Sequence, residues 1–278
     1  MIDAGTKLYG VIGNPVRHSL SPVIHNNAFR RMGLNAAYLA FKVEHLEEAI
    51  RGIRGMGLRG VSVTIPFKTR VIPYLDEIEA VAEKVGAVNT IVNERGRLVG
   101  HNTDWRGALE ALEEKVDLKE KKVLLLGAGG AARAIGFGLR RKGCRVTIIN
   151  RSREKAESLA KELGFDFSSS LSSVVPDAEV LINATSVGMS PHTAVSPVPK
   201  GLLRRGMTVM DVVYHPFRTK FLQEAQERGC QTINGLEMLA RQGAAQLEIW
   251  TGRRPEIDEI RKDLWKALND KLSGNPKK

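Results

Sequence analysis

Cysteines and long apolar runs are scarce in this sequence. Its 278 residues contain two cysteines, Cys144 and Cys230, too few for a disulfide framework, and no cysteine–histidine spacing matches a zinc site. No apolar run approaches the roughly 18–20 residues that a membrane helix needs. The N-terminal residues lack the ordered basic, apolar and cleavage regions of a secretory signal. The expected setting is therefore a reducing cytoplasm, without membrane contact or a bound metal, and both thiols are expected on or beside strands.

Basic residues are in clear excess. Lysine and arginine number 42 against 31 acidic residues, giving a net charge of +11, while 42% hydrophobic and 26% charged residues exclude disordered and collagen-like classes. Such a charge first suggests nucleic acid. However, the basic residues stand beside acids along helical stretches, and no long basic run is interleaved with aromatic residues. We therefore expect no nucleic-acid partner; an anionic ligand, such as a phosphorylated cofactor or a carboxylate substrate, suits the charge.

Short β-branched runs alternate with helical stretches along the chain, which predicts βαβ units, parallel sheets and an α/β fold. The first series of strands ends near Gly100 and the second starts at Lys122. We therefore predict two α/β domains with the ligand site in the cleft between them. Residues 71–85 are predicted to form one helix. The last two helical stretches, residues 236–251 and 257–272, are placed so that they can rejoin the first domain.

A glycine-rich turn carries the strongest local signal. The apolar strand Val123–Leu126 runs into Gly127, Gly129 and Gly130, and a helix of small residues follows. The first glycine permits the tight turn and the second lets the backbone approach a pyrophosphate, while Ala132 at the third motif position allows close packing. The helix N-terminus attracts phosphate groups. The pattern predicts a Rossmann-type dinucleotide site; the alternative is a plain tight turn between strand and helix.

The end of the next strand distinguishes NADP from NAD. An NAD site usually places an acid about 20 residues after the glycine motif, to bind the ribose 2′-hydroxyl. Here the strand ends in Asn150, followed by Arg151, Arg153 and Lys155. Cations attract a 2′-phosphate that a carboxylate would repel, and they are otherwise disfavoured near a helix N-terminus. NADP is therefore predicted; the alternative is that these are solvated cations at the start of a helix.

Polar side chains follow successive strands in the first half of the chain. Taken singly, each suits a cap, a turn or the surface; Ser21, for example, is a predicted N-cap before Pro22. Taken together, they lie near strand ends, where α/β proteins bind ligands, and they indicate a polyhydroxylated small molecule. The residues concerned are Ser19, Ser21, Thr64, Lys68, Asn89 and Asp104.

The histidines show no metal-ligand spacing, and His18, His25, His101 and His215 are expected in turns or at the surface.

Nine segments, in chain order between about residues 8 and 250, resemble the motifs of shikimate dehydrogenases. The resemblance implies NADP-linked, reversible reduction of 3-dehydroshikimate to shikimate, in chorismate and aromatic amino acid biosynthesis. It also implies a substrate domain of residues 1–103 with 236–278 and a Rossmann domain of residues 104–235, and it allows a homodimer. The segments are Ser19–Pro22, Val63–Lys68, Gly86–Thr90, Gly100–Asp104, Gly127–Arg133, Asn150–Ser152, Asn183–Met189, Asp211–Tyr214 and Asn234–Gln242.

The same resemblance assigns roles to individual residues. The family's catalytic pair falls on Lys68 and Asp104, with Lys68 as general acid and base. The substrate ligands fall on Ser19, Ser21, Thr64, Lys68, Asn89, Asp104, Tyr214 and Gln242. The cofactor contacts fall on Gly127, Ala128, Gly129, Gly130, Ala131, Asn150, Arg151, Ser152, Lys155, Thr185, Val212 and Gly235.

Two positions depart from the family's usual pattern. Ser62 stands where many members have asparagine, and its shorter side chain reaches less far. Lys155 stands where many have arginine, and an ammonium pairs with phosphate without forking onto it. Both departures leave open a quinate/shikimate dehydrogenase with broader substrate or NAD use. A nucleotide-sensing protein without turnover is the other alternative, and the presence of Lys68 and Asp104 argues against it.

Overall fold

The computed structural model describes residues 2–272, whose contacts divide into two compact units, each built on a six-stranded sheet. Unit 1 comprises the described residues up to Thr103 and from Ala240 onward, and unit 2 comprises Asp104–Leu239. Residues 273–278, which the sequence analysis assigns to the substrate domain, lie outside the described residues. No helix within residues 2–272 is long and apolar enough to cross a membrane.

The sheet of unit 1 is mixed, so the parallel sheet predicted for it is confirmed only in part. Its elements are β1 (Lys7–Gly13), α1 (Ser21–Arg31), β2 (Ala36–Lys42), α2 (Leu46–Gly55), β3 (Gly60–Val63), β4 (Glu77–Ile78), α3 (Ala80–Val85), β5 (Thr90–Glu94) and β6 (Arg97–His101). The strand order is β2-β1-β3-β5-β6-β4; β1 runs parallel to β2 and β3, whereas β5 is antiparallel to both β3 and β6. Arg95 and Gly96, with φ of 57° and 97°, form a two-residue turn between β5 and β6. Strands joined by such a turn pair antiparallel.

The single helix predicted over residues 71–85 is also wrong. A short 3₁₀ turn, Ile72–Tyr74, is followed by β4 and only then by α3. The Asp76 carboxylate accepts a hydrogen bond from the backbone N–H of Leu98, at 2.6 Å, and so holds this stretch beside β6. Glu79 is the N-cap of α3, and its carboxylate accepts hydrogen bonds from the backbone N–H groups of Val81 and Ala82.

The sheet of unit 2 is wholly parallel. Its elements are α4 (Asp104–Glu113), β7 (Lys122–Leu126), α5 (Gly130–Arg141), β8 (Arg145–Ile149), α6 (Arg153–Leu163), β9 (Asp166–Phe167), α7 (Leu171–Val174), β10 (Val180–Asn183), β11 (Thr208–Asp211), α8 (Lys220–Glu227) and β12 (Gln231–Ile233). The order β9-β8-β7-β10-β11-β12 is the Rossmann order 3-2-1-4-5-6. The predicted α/β fold with a Rossmann-type unit is confirmed.

The interior of unit 2 explains why its central strand is apolar. Val123–Leu126 in β7 are buried, as expected for a parallel strand covered on both faces. Cys144 directly precedes β8 and Cys230 directly precedes β12; both are free and buried, so their predicted placement beside strands is confirmed.

Two helices end the described chain: α9 (Gly235–Thr251) and α10 (Ile257–Leu272). Helix α9 begins in unit 2, and its residues from Ala240 belong to unit 1. There the Trp250 indole N–H donates to the Ile91 carbonyl of β5 at 3.1 Å. Arg31 of α1 forms an ion pair with Glu259 of α10, also at 3.1 Å. The end of the chain therefore packs with the N-terminal elements of unit 1.

Candidate active site

The glycine turn after β7 lies at the point of unit 2 where the strand order reverses. Gly127 has φ of 115°, and a Cβ there would lie 3.0 Å from the carbonyl oxygen of Ala184, so only glycine fits without strain. Its N–H donates to the Ile149 carbonyl at 2.7 Å, while the N–H of Ala184 donates to the Leu126 carbonyl at 2.8 Å. The turn is therefore held between the ends of β8 and β10, where open α/β sheets bind ligands.

The next residues leave room for a phosphate group. Gly129 is exposed, and a Cβ there would meet nothing within 4 Å. Helix α5 begins at Gly130, so the first N–H groups of the helix lack acceptors within it. Ala128 and Ala131 are half-buried on either side. The open backbone and the helix N-terminus together fit the pyrophosphate of a dinucleotide.

The residues after β8 form a cationic segment. Arg151 and Lys155 are exposed and make no ion pair within residues 2–272, whereas the Arg153 guanidinium lies over the Phe167 ring, 5.6 Å from its centroid. Asn150 Nδ2 donates to the Ser152 carbonyl at 3.0 Å. Arg151 and Lys155 are therefore the cations available to a 2′-phosphate.

Ser152 is the N-cap of α6. Its Oγ accepts from the N–H of Lys155 at 3.4 Å and donates to the Glu154 carboxylate at 2.7 Å. The Ser152 hydroxyl is the main cause that lowers the pKa of Glu154 below its ordinary value. A phosphate at Ser152 would therefore compete with Glu154 for the same hydroxyl proton.

A buried carboxylate, Asp211, ties together the loops after β10 and β11. It accepts from Asn183 Nδ2 at 2.9 Å, from the N–H of Val213 at 3.0 Å and from the Thr219 hydroxyl at 2.7 Å. Thr185 in turn donates its hydroxyl to Asn183 Oδ1 at 2.6 Å. Burial raises the pKa of Asp211 to about 6, and the three hydrogen bonds oppose the rise.

The remaining predicted cofactor residues lie beside this carboxylate. The N–H of Val212 donates to the Asn183 carbonyl at 3.0 Å, and a Cβ at Gly235 would lie 2.5 Å from the Val212 carbonyl oxygen. The structure thus brings Thr185, Val212 and Gly235 to one region of unit 2. Asp211 lies in one of the family-like segments, but the sequence alone indicated no role for it.

In unit 1, the two serines flank the start of α1. The predicted N-cap role of Ser21 is wrong: the N-cap is Leu20, Ser21 is the first helical residue, and Pro22 follows. Ser19 Oγ accepts from the N–H of Ser21 at 3.2 Å and so holds the turn. Within residues 2–272 the Ser21 hydroxyl itself makes no hydrogen bond. Both hydroxyls therefore keep a proton to donate.

Thr64 and Lys68 are half-buried and follow β3. The Thr64 N–H donates to the Ile12 carbonyl at 3.0 Å, and the Lys68 carbonyl accepts from the N–H of Val88 at 2.7 Å. Backbone hydrogen bonds thus hold the Lys68 turn against the segment that carries Asn89.

Asn89 is buried, and its side chain makes several hydrogen bonds within unit 1. Its Oδ1 accepts from the N–H of Thr103 at 2.8 Å, and its Nδ2 donates to Thr103 Oγ1 at 2.9 Å and to Gln242 Oε1 at 3.3 Å. Asn89 and Gln242, 153 positions apart in the chain, are therefore neighbours. Asp104, buried at the start of α4, and the half-buried Tyr214 after β11 belong to unit 2, whereas the other predicted substrate ligands belong to unit 1.

His25 is not in a turn or at the surface, contrary to expectation. It lies on α1 with no exposed surface, and its ring stacks on Tyr38 at 4.2 Å between centroids. Neither ring nitrogen has a hydrogen-bond partner in the part of the chain that the structure describes. Burial lowers the pKa of His25 to about 3, and the nearby Gln246 amide offsets only part of that shift.

Gln246 is a residue that sequence reasoning missed. It is buried on α9 and contacts Asn89 and Thr90 of the site region. Its spacing of four residues from Gln242 on a helix is the signal that would have found it, because such residues share one helix face. The described residues contain no group of three or more histidine, cysteine, aspartate or glutamate side chains that could hold a metal ion.

A Rossmann unit with an open glycine turn and exposed cations after its second strand, together with a unit that carries a buried polar cluster, defines the class of dinucleotide-dependent oxidoreductases. Three family models match the chain: the shikimate dehydrogenase substrate binding domain over residues 11–91, shikimate / quinate 5-dehydrogenase over residues 110–197, and the shikimate 5′-dehydrogenase C-terminal domain over residues 235–264. A shikimate dehydrogenase (NADP(+)) of Thermococcus kodakarensis is 49% identical over 262 residues, which cover 92% of this chain and 95% of that relative. The chain belongs to the shikimate dehydrogenase family.

Solved structures agree with this assignment. A crystal structure of a shikimate dehydrogenase in complex with NADP⁺ has a TM-score of 0.92 at 44% identity, covering 96% of this chain and 98% of that one. The Thermus thermophilus enzyme, in complex with NADP(H) and shikimate, has a TM-score of 0.89 at 38% identity, covering 95% of this chain and all of its own. The similarity therefore spans both units.

Proposed function

We propose that this protein catalyses the NADP-dependent, reversible reduction of 3-dehydroshikimate to shikimate, in chorismate and aromatic amino acid biosynthesis. The proposal rests on the Thermus thermophilus relative. It has the same fold along nearly the whole chain, and its crystal structure is in complex with NADP(H) and shikimate. The name of the Thermococcus relative agrees with it.

Unit 2 supplies the cofactor site in this proposal. The turn Gly127–Ala131 and the N-terminus of α5 receive the pyrophosphate, and Arg151 and Lys155 receive the 2′-phosphate. Asn150 and Ser152 border the same loop, while Thr185, Val212 and Gly235 supply the remaining cofactor contacts. NADP, when bound, supplies the hydride chemistry, and the protein supplies alignment.

Unit 1 supplies most of the substrate site. The Ser19 and Ser21 hydroxyls, with that of Tyr214, are suited to donate to the substrate carboxylate, because each is a neutral donor. The ring hydroxyls need several fixed partners. Thr64, Asn89 and Gln242 are proposed for them, and the hydrogen bonds of Asn89 hold two of these side chains together.

Lys68 moves the proton. Reduction of the ketone turns its oxygen into an alkoxide, which takes a proton from the Lys68 ammonium; in the oxidation direction the neutral Lys68 amine removes the proton from the alcohol. Asp104 is proposed to orient that amine and to accept a hydrogen bond from a ring hydroxyl. Both roles rest on the family resemblance, on the half-buried position of Lys68 and on the buried position of Asp104.

We further propose that the protein is cytoplasmic and forms a homodimer. The two free, buried thiols suit a reducing compartment. Strand β2 lies at the edge of its sheet, with Leu39 50% exposed, and an unpaired edge is a surface on which a second copy can pair. Light scattering of the purified protein measures the mass: twice 30.6 kDa supports the dimer, and 30.6 kDa contradicts it.

A dual shikimate/quinate dehydrogenase is the second candidate, favoured by the description of the family model over residues 110–197 and by Ser62 in place of asparagine. Initial rates with NADP or NAD, each with shikimate or quinate, separate the two. We expect the NADP–shikimate pair to have the highest kcat/KM. Comparable rates with quinate would support the dual enzyme. Cofactor binding without turnover of any pair would contradict both and support a nucleotide sensor.

A further inference from the structure

A chain of buried hydrogen bonds runs behind the substrate ligands proposed for unit 1. We call it the Gln246 network; its members are Tyr38, Ser62, Gln246, Thr90 and Asn89. Each is 5% exposed or less. Its bonds run from the Tyr38 hydroxyl to Ser62 Oγ (2.6 Å), from Ser62 Oγ to Gln246 Oε1 (2.9 Å), from Gln246 Nε2 to Thr90 Oγ1 (2.9 Å), and from Thr90 Oγ1 to Asn89 Oδ1 (2.8 Å). The network thus connects the interior of the unit to Asn89.

One backbone carbonyl sets the direction of the first half of this network. The Asn89 carbonyl oxygen lies 3.1 Å from the Gln246 side-chain nitrogen, and a carbonyl can only accept. The NH₂ end of Gln246 must therefore face Asn89 and Thr90, and its oxygen must face Ser62. Ser62 has to donate to that oxygen, so it accepts its own hydrogen bond from Tyr38. The amide orientation of Gln246 is thereby determined.

One backbone N–H sets the direction of the second half. The Thr103 N–H lies 2.8 Å from the side-chain oxygen of Asn89, and an N–H can only donate. The Asn89 NH₂ group must therefore face Gln242, which receives it with its oxygen at 3.3 Å. The amide of Gln242 is thus turned with its oxygen toward Asn89 and its NH₂ end away from it.

We propose that Gln246 is a positioning residue of the substrate site: it holds Asn89 in place through the Asn89 carbonyl and Thr90, and Asn89, whose amide the Thr103 N–H orients, turns the Gln242 amide so that a substrate oxygen meets its NH₂ group as a donor. This inference rests on the proposed function, because it takes Asn89 and Gln242 as substrate ligands. It deepens that function by assigning a polarity: the ligand group at Gln242 is an acceptor, such as a hydroxyl or ketone oxygen. It also gives Ser62 a role inside the protein.

The spacing of residues on α9 indicates that Gln246 acts together with its neighbours on the same helix face. Gln242, Gln246 and Trp250 are spaced four residues apart, so they share one face of the helix. Gln242 bonds the side chain of Asn89, and Gln246 bonds the Asn89 carbonyl and Thr90. Trp250 bonds the Ile91 carbonyl. One helix face therefore bonds three successive residues, Asn89 and the first two residues of β5. A lost contact at Gln246 weakens the middle of this series, next to both proposed ligands.

Gln246→Met tests the positioning role, because methionine keeps the length and most of the volume of the side chain but removes both hydrogen-bonding ends. We expect KM for shikimate to rise about 3- to 30-fold, as for the loss of one or two buried hydrogen bonds, with KM for NADP unchanged and kcat within about 3-fold. Asn93→Ser is the matched control: Asn93 is a buried amide on β5 that bonds Ile53 and Gly96, outside the network. It should lower the melting temperature without changing KM.

Gln242→Glu tests the polarity. A glutamate keeps an oxygen toward Asn89 and replaces only the NH₂ group with a second oxygen. If the substrate hydroxyl accepts from Gln242 and donates its own proton elsewhere, the variant loses that bond and sets two oxygen acceptors against each other, so KM for shikimate should rise about 10- to 100-fold at pH 8. If Gln242→Glu keeps the wild-type KM, the assigned polarity is contradicted.

A measurement without substrate separates this inference from the proposed function. In the ligand-free protein, the side-chain amide resonances of Asn89 and Gln242 should shift in Gln246→Met and stay in place in Asn93→Ser. Unmoved resonances, or an unchanged KM in an active Gln246→Met enzyme, would overturn the inference while the dehydrogenase assignment stands. If the wild type fails to oxidise shikimate, the proposed function is contradicted. The amide resonances of Asn89 and Gln242 then test by themselves whether Gln246 positions these two side chains.

Discussion

Lys68 is the side chain proposed to move a proton, and its removal distinguishes proton transfer from binding. Lys68→Ala removes the only part of the side chain that can donate or accept a proton. We expect kcat to fall by roughly 10²- to 10⁴-fold, with a much smaller change in KM. Steady-state kinetics of shikimate oxidation measures both constants.

Arg70→Ala is the matched control for Lys68. Arg70 is an exposed cation two residues further along the same turn, with its guanidinium 5.5 Å from the centroid of the Phe67 ring. Its loss changes the local charge equally, so kcat should stay within about 2-fold of the wild type. Near-normal kcat with a raised KM in Lys68→Ala would reassign Lys68 to substrate positioning.

His25 should make the protein sensitive to acid. Its pKa is about 3 in the folded protein, against 6.5 for an ordinary histidine. Below pH 6.5, His25 therefore binds a proton in the unfolded chain but not in the folded protein. The free energy of unfolding consequently falls as the pH drops toward 3. The loss approaches about 1.4 kcal/mol per pH unit in that window.

His25→Phe removes this titration and keeps a ring against Tyr38. The free energy of unfolding, measured by chemical denaturation between pH 7 and pH 4, should fall less steeply in the variant than in the wild type. The difference between the two free energies of unfolding at each pH cancels the contribution of the carboxylates that titrate in both proteins. Parallel curves would show that His25 does not keep its neutral form on folding.

At the scale of elements, the turn between β7 and α5 has two glycines with different reasons for being there. Gly127→Ala should destabilise the fold by about 1–3 kcal/mol, because φ is 115° and the new Cβ would lie 3.0 Å from the Ala184 carbonyl. Gly129→Ala should leave the melting temperature nearly unchanged, because its Cβ would meet nothing within 4 Å.

The two glycine variants therefore separate folding from cofactor binding. If Gly129 is where the backbone approaches the pyrophosphate, Gly129→Ala should weaken NADP binding about 10-fold or more, as measured by titration calorimetry. Equal NADP affinity in Gly129→Ala and the wild type would place the pyrophosphate elsewhere. An unchanged stability of Gly127→Ala would contradict the strained turn.

Sequence patterns predicted the elements that depend on local chemistry. The apolar β7, its glycine turn and the small-residue α5 form a βα unit whose signal lies in contiguous residues, and the Rossmann unit was predicted from them. The mixed sheet of unit 1 was not. Its β5–β6 hairpin depends on Arg95 adopting a positive φ, which arginine rarely does, so no turn signal marked it. The helix predicted over residues 71–85 failed because Asp76 bonds a strand twenty-two positions away.

The site shows the same limit. Ser19, Thr64 and Lys68 stand in contiguous motifs, so they were predicted with the segments that carry them. The contact of Asn89 with Gln242 bridges 153 positions, and the one from Ser62 to Gln246 bridges 184. Contacts of such separation leave no local pattern. The sequence therefore showed which residues are polar, but not that the Gln246 network joins them.

At the scale of the whole molecule, the two ligands should protect different units. The proposed cofactor residues all lie in unit 2, and most of the proposed substrate ligands lie in unit 1. With NADP alone, amide hydrogen exchange should slow in residues 127–131 and 150–155; with shikimate alone, it should slow in residues 62–68 and 86–90, because binding suppresses local opening. Protection by NADP confined to unit 1 would contradict the assignment of the two sites.

The central claim is that Lys68 transfers a proton to or from the reacting oxygen of the substrate. A crystal structure of the protein with NADP⁺ and shikimate bound together measures this directly, as the distance from Lys68 Nζ to the C3 hydroxyl oxygen. We predict about 2.6–3.2 Å, the range that direct proton transfer requires. A distance beyond about 5 Å, with another side chain or no group at that oxygen, would contradict the claim.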